Sequence, residues 1–486
     1  MPKLNTKRII YFAMILLMLI DTGYSFWQHQ AKPLDGDMAW NSIPDSDVQP
    51  VLDNPLGIKA IVQDTTYVNP NRFFCHSFNQ QYILQAPLFL QHYFSPINSV
   101  YFSMGIARTI IQLLLLIFLG MFISQSPKFW KWKGILAMFL TVSLFQTNGF
   151  NRQMGIIDES TTYAFFYALP LIFLLIYLFP FIYQVYFNKI NHIPWVVKLL
   201  WIPFAFIVCL SGPLNPGIAL VFALLAIIHQ LIKLFKSDVS VRKRPWLIFK
   251  KIPSPFYFYL TPLVILSFYS LFLGKYNSLT IESQISIPEM YGKMIEGIVP
   301  VFFEKLGLPI LFIILIFNLI LLKIRKEKTE ESKLLTFSKW ALAFCLLYIL
   351  LLPFGGYREY RQYVMRNDTL LPVIYLLMFL FGITSLHLIH HLKRNFRKGY
   401  LLLMFGFIFF YTKSDNENFD KNECEKLSFE RMANATDKVL KLNDNCAPLG
   451  WFLSRKPEES ILQAKLIHHW NITNCEILFY NSADEE

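Results

Sequence analysis

Charge is scarce in this chain. Of its 486 residues only 16% are Asp, Glu, Lys or Arg, 54% are hydrophobic, and the mean hydropathy is +0.40. An ordinary soluble domain carries roughly 25% charged residues, so a water-soluble fold is excluded and an α-helical polytopic membrane protein is expected. The chain also lacks C-x-x-C and any His/Cys spacing of the zinc-binding kind. No internal repeat or low-complexity tract is visible, which removes the paired-halves signature of many transporters. The formal net charge is +12, but the basic residues lie in short loops between apolar runs and form no single polar surface. An anionic lipid surface accounts for that placement, and no nucleic-acid partner is expected.

What the chain has in plenty is apolar sequence. A spanning helix takes about 20 mostly apolar residues. Eleven runs are expected to span, at 9–26, 98–124, 134–147, 161–187, 198–211, 216–235, 256–274, 308–324, 340–354, 369–387 and 399–412. The third and last are short, and Pro170 and Pro180 should kink the fourth. Lys and Arg set the orientation, because cytoplasmic loops are enriched in both. With the N-terminus inside, the inner segments hold Lys3, Lys7 and Arg8; Lys128, Lys131 and Lys133; Lys189 and Lys198; the basic clusters Lys233–Lys251 and Lys323–Lys339; and Lys393, Arg394, Arg397 and Lys398. The short outer loops hold only Arg152; Lys275, Lys293 and Lys305; and Arg358, Arg361 and Arg366. The first run is longer than a signal-peptide core and has no clear small-x-small cleavage site, so it reads as an uncleaved anchor. The expected location is the cytoplasmic (inner) membrane, multi-pass, with the C-terminus extracytoplasmic.

Two regions then fall outside. Residues 1–412 form the transmembrane domain, which includes the first extracytoplasmic loop at 27–97; residues 413–486 form an extracytoplasmic C-terminal domain. The latter keeps a folding pattern, with a helix through "SILQAKLIHHW" and a strand in "CEILFYN", and reads as a small α/β unit. Cys75, Cys424, Cys446 and Cys475 lie outside the spans and could form up to two disulfides in an oxidising compartment.

The candidate chemistry gathers at the outer face. "LDGDMA" contains Asp35-Gly36-Asp37, two carboxylates that can turn toward one point. Such a pair can hold a divalent cation, the one cofactor in view, or one carboxylate can act as a general base. Asp45, Asp47 and Asp53 follow in the same loop. Asp21 lies near the outer end of the first span, where an ionisable group is costly. Asp158 and Glu159, in "IIDESTTY", precede the fourth span, and Arg108 sits near the outer end of the second. The loop "GGYREYRQYVMRNDT" breaks the sidedness rule with Arg358, Arg361 and Arg366, interleaved with Tyr357, Tyr360 and Tyr363. Aromatic belts explain the tyrosines. The arginines present forks suited to phosphate. "NRFFCHSF" and "YVMRNDTLLP" stand out as phrases but point to no function by themselves.

This arrangement resembles the GT-C superfamily of membrane glycosyltransferases, in overall topology and in one short motif. The matching elements are the N-inside anchor, "LDGDMA" directly after it, the acidic "IIDESTTY" and the outside tail. The resemblance implies a polyprenyl-phosphate-linked sugar as donor and an extracytoplasmic glycan, lipid or protein as acceptor, with membrane lipids around both. It implies Asp35 or Asp37 as catalytic acid/base. It also implies lipid-phosphate contacts from an outer-loop arginine, for which Arg358, Arg361 and Arg366 are the candidates; Arg108 is a further candidate to bind the lipid phosphate. The W-W-D-type sequence of oligosaccharyltransferases is absent from the tail, so asparagine is not inferred as acceptor. Rival readings are a transporter or lipid flippase, which would place ionisable groups near the membrane midplane, and a non-catalytic scaffold. An O-antigen-type polymerase or ligase would place its large loop late in the chain, whereas here it comes first. His387 and His391 are spaced i, i+4 but read as interfacial polar residues.

Overall fold

The structure is a computed structural model. It describes residues 6–43, 47–189, 195–237, 247–281, 285–325, 329–358, 361–443 and 445–481, with only the main chain at 195–198. Lys3, Asp45, Arg242, Lys243, Arg244, Lys326, Lys328 and Tyr360 lie outside the described residues.

The protein is a helical membrane protein. Among the described residues, eight helices are long and apolar enough to cross a bilayer: Thr6–Gln30, Pro96–Ser124, Thr161–Val185, Asn215–Ser237, Phe256–Tyr276, Gly307–Ile324, Thr329–Gly355 and Leu371–His391. The short third and fifth runs form the shorter apolar helices Trp132–Leu144 and Leu199–Cys209. The last run is the middle of Arg394–Ser414, whose ends carry Arg394, Arg397, Lys398 and Lys413. Leu371–His391 lies at the centre of the bundle, buried along most of its length. Thr6–Gln30 lies at the edge, with Phe12, Leu16 and Leu19 exposed. Apolar side chains facing outward are the stable surface in lipid. In the interior, Asn318 Nδ2 donates to Thr384 Oγ1 and Ser385 Oγ (3.1 and 3.0 Å), and Tyr400 donates to Asn318 Oδ1 (2.8 Å). A neutral, mutually bonded polar group of this kind ties three helices together without charge.

Two spans contain a widened π turn, Ala164–Ala168 and Phe256–Leu260. Each ends two residues before a proline, Pro170 and Pro262. A proline has no N–H and its ring crowds the carbonyl four residues back, and a wider turn relieves both problems. Residues 164–168 thus carry the backbone irregularity beside Pro170, and the α-helix Leu169–Val185 continues through Pro180.

The segments expected outside meet at one end of the bundle. The first loop is helical over Asp37–Ser42, Gln49–Asp53, Ile58–Val62 and Phe73–Leu90. Tyr67 exchanges backbone hydrogen bonds with Tyr276 and Ser278. Lys305 Nζ donates to the Gly149 carbonyl (2.6 Å), and Thr147 and Asn148 donate to the Asp415 carboxylate. At the other end, Tyr11 donates to the Trp130 carbonyl (2.6 Å) and Arg325 to that of His391 (2.7 Å).

The tail contains helix Glu423–Ala433, strand β1 (Val439–Leu442), helix Ile461–His469 and strand β2 (Leu478–Asn481), with β1 and β2 parallel and Val439 opposite Leu478. Cys424 and Cys446 are joined by a disulfide. The expected boundary at 412/413 does not divide two cores. Phe429, Leu449, Leu466 and Trp470 of the tail share one core with Leu34, Met38, Ile83 and Tyr101. The buried Trp470 donates to the Ile83 carbonyl (2.9 Å).

Candidate functional site

The D-x-D stretch is held from both sides. Asp35 is buried, and its Oδ2 accepts from the Thr162 N–H (3.1 Å) at the start of the Thr161–Val185 helix, where a carboxylate meets the positive helix end. Its Oδ1 is buried with no hydrogen-bond partner. Burial pushes the Asp35 carboxyl above the usual range, against the Thr162 bond. Asp37, half-buried, opens helix Asp37–Ser42 and accepts from Trp451 Nε1 (3.1 Å). Gly36 between them is required by close approach, since a Cβ there would lie 2.5 Å from Trp451 Cδ1 and 2.6 Å from its backbone N.

Asp158 keeps part of its surface open although protein packs densely around its carboxyl. Its Oδ1 accepts from the Ser160 N–H (2.8 Å). Burial, with the Asp368, Glu159 and Asp35 carboxylates nearby, pushes it up to about 7. Glu159 is held below its ordinary value: burial alone would raise it, but Lys32 (2.6 Å) and Lys421 (3.4 Å) outweigh that. Lys32 is buried, which draws it down to about 8 against the pull of Glu159. Arg108 is wholly buried and donates to the carbonyls of Glu159 (2.5 Å), His29 (2.7 Å) and Met104 (3.4 Å). Its charge balances the nearby Asp35, Glu159 and Asp158. Asp21 stands apart from this group and faces Asp415. Asp47 and Asp53 are exposed, with Asp53 accepting from Gln49 (2.7 Å).

The arginine loop divides. Arg366 is paired with Asp368, its Nε donating to Oδ1 (3.1 Å) and its Nη2 to Oδ2. Arg358 donates to Asn69 Oδ1 (3.1 Å), and Asn69 Nδ2 approaches His76 Nε2 (3.2 Å). Asn69 has a left-handed φ of 50°, which asparagine tolerates, and its N–H is held by Asn277 Oδ1 (3.0 Å). Since Asn69 Oδ1 accepts from arginine, its amide donates to His76 Nε2, which assigns the His76 proton to Nδ1. Burial, with Arg72 and Arg358 close by, lowers His76 to about 3, so the ring is neutral. His76 Nδ1 and Arg72 Nε are buried donors without a hydrogen-bond partner. Arg72 lies within electrostatic reach of Arg358 and Arg361. Burial, and then the like charge of Arg358, draw it down to about 10. Positive charge and unfilled donors thus collect at one place, which is the chemistry of an anion site.

Tyr163 and Tyr167 join the two halves. Tyr163 lies within electrostatic reach of Asp37, Arg361 and Asp368. Its ring is 5.7 Å from that of Tyr167, which is in turn among the neighbours of Arg72. Tyr167 lies in the widened turn before Pro170 and Tyr163 directly precedes it, and Phe166 of that turn packs edge-on against His76 (4.7 Å). Sequence reasoning did not select Lys32, Asn69, Arg72, Tyr163, Tyr167, Asp368 or Trp451. The phrases "NRFFCHSF" and "YVMRNDTLLP" were the available signal: the first carries His76 and directly includes Arg72, and the second carries Asp368.

Among the described residues, no group of three His, Cys, Asp or Glu could hold a metal ion. Asp35 and Asp37 offer two carboxylates, and a hard cation there would take its remaining oxygens from phosphate or water. Comparison of the chain with protein-family models, with curated proteins and with solved structures returns no match.

Proposed function

We propose that this protein is a glycosyltransferase of the cytoplasmic membrane that moves a sugar from a polyprenyl-phosphate donor to an extracytoplasmic acceptor. The observation that carries the reading is the meeting of the D-x-D stretch with a donor-rich cationic group, Arg72, Arg358 and Arg361, around Tyr163 and Tyr167. Asp37 is the half-open carboxylate, so it takes the proton of the acceptor hydroxyl as that oxygen attacks the anomeric carbon. The bond from that carbon to the phosphate oxygen breaks, and the lipid phosphate departs with the electron pair. Arg72, Arg358 and Arg361, with the His76 N–H, hold the departing phosphate. Asp35 positions this group by tying the first loop to the Thr161–Val185 helix, and Arg366, already paired with Asp368, shapes the loop.

In this reading eleven helices span, the N-terminus is inside and the tail is outside. The lysine and arginine bias supports the orientation, and the Cys424–Cys446 disulfide suits an oxidising compartment. The test is transfer by purified protein supplied with polyprenyl-phosphate sugars. Asp37→Asn should lose about 10²-fold or more in kcat, and Arg72→Ala and Arg358→Ala should weaken donor binding. Full transfer by both Asp35→Asn and Asp37→Asn would remove the motif from the chemistry.

A further inference from the structure

Away from the spanning helices, the tail exposes three consecutive large apolar side chains: Trp451 is 51% exposed, Phe452 85% and Leu453 39%. Single exposed apolar residues are ordinary, but a contiguous run marks an interaction surface. This run is firmly framed. On one side, Leu449 is buried with a left-handed φ of 52°, and its N–H donates to Glu425 Oε1 (2.8 Å). Trp451 then rests on Gly36 and donates to Asp37 (3.1 Å). On the other side, Ser454 N–H donates to Asn481 Oδ1 (3.2 Å) and Asn481 N–H returns to the Ser454 carbonyl (2.7 Å), at the end of β2. The exposed rings are therefore displayed by fixed neighbours.

Their place in the fold identifies what they meet. The Trp451 ring is 6.1 Å from that of Tyr163, at the start of the Thr161–Val185 helix, and Gly36 lies just beyond the end of Thr6–Gln30. The run stands level with the ends of two apolar helices, where aromatic side chains gather at a bilayer boundary. Arg455 and Lys456 follow, both exposed, as suits anionic headgroups. A protein partner fits less well, because a specific interface buries about 800 Å² on each side, far more than three side chains offer.

We propose that the Trp451–Leu453 loop is seated in the lipid, with Phe452 inserted among the headgroups and upper acyl chains and Arg455 and Lys456 at the anionic surface. The loop would tie the tail to the bilayer directly beside Asp37. This holds whether or not the protein transfers sugars.

The test places a nitroxide at Phe452→Cys in a Cys475→Ser background, since Cys475 is the exposed free thiol among the described cysteines. Full-length protein is reconstituted in nanodiscs of phosphatidylcholine and phosphatidylglycerol, and the label's accessibility to oxygen is compared with that to a water-soluble nickel chelate. Glu458→Cys in the same background is the aqueous reference. Oxygen accessibility several-fold above nickel at 452, with the reverse at 458, is the expected result. Nickel reaching 452 as freely as 458 would overturn the proposal. Protection of 452 from both reagents would overturn it too, because protein would then cover the loop.

Discussion

The glycine of the D-x-D stretch is set by Trp451, whose backbone nitrogen would lie 2.6 Å from any Cβ added at position 36. Backbone cannot swing aside as a side chain can, so we expect Gly36→Ala to cost about 1–3 kcal/mol and to loosen the tail from the first loop. A lower melting temperature and faster proteolysis of the tail would register it. Asp158 makes a second expectation. Its carboxyl is raised to about 7 by burial and by neighbouring carboxylates, so the fold favours the neutral form. The stability this contributes is present below the ordinary value of 3.8 and is lost as pH rises toward about 7. Asp158→Asn keeps the acceptor for the Ser160 N–H and removes the titration. Its melting temperature should fall less steeply than that of the wild type across that interval; identical slopes would mean Asp158 does not titrate there.

Among elements, the Thr161–Val185 helix matters most. Its first turn receives Asp35 and carries Tyr163, its widened turn presents Tyr167, and Gly212 packs against that turn. A Cβ at Gly212 would lie 2.9 Å from the Phe166 carbonyl and 2.8 Å from Pro170 Cβ. We expect Gly212→Ala to destabilise by about 1–3 kcal/mol and to weaken donor binding, through displaced Tyr167, more than it slows the chemical step. Unchanged KM with unchanged stability in detergent would contradict this. The sequence showed Pro170 and so a kink, but not where the extra residue of the turn would be taken up. That depends on which neighbour presses on the helix.

At the scale of the whole molecule, the segments expected outside touch one another, and contacts between segments expected inside occur at the opposite end. We expect Cys475, exposed in the tail, to react with a membrane-impermeant maleimide applied to the outside of intact spheroplasts. Labelling only after the membrane is opened would invert the orientation. The tail also shares its core with the first loop, so it should not behave as a detachable unit.

The class, the positions of the long apolar helices and the grouping of acids and arginines in a few segments can be read from the sequence. These follow from local composition, because the cost of burying charge or backbone in hydrocarbon acts residue by residue. Which members of those groups meet is set by packing. It separated Arg366, neutralised by Asp368, from Arg358, and it brought in Arg72 and His76 from a loop far away in the chain. It turned Asp35 into a buried tie while leaving Asp37 half-open, and it set Trp451 on Gly36. Partners distant in sequence are chosen by packing, and a distant partner's charge or bulk leaves no trace in the local pattern.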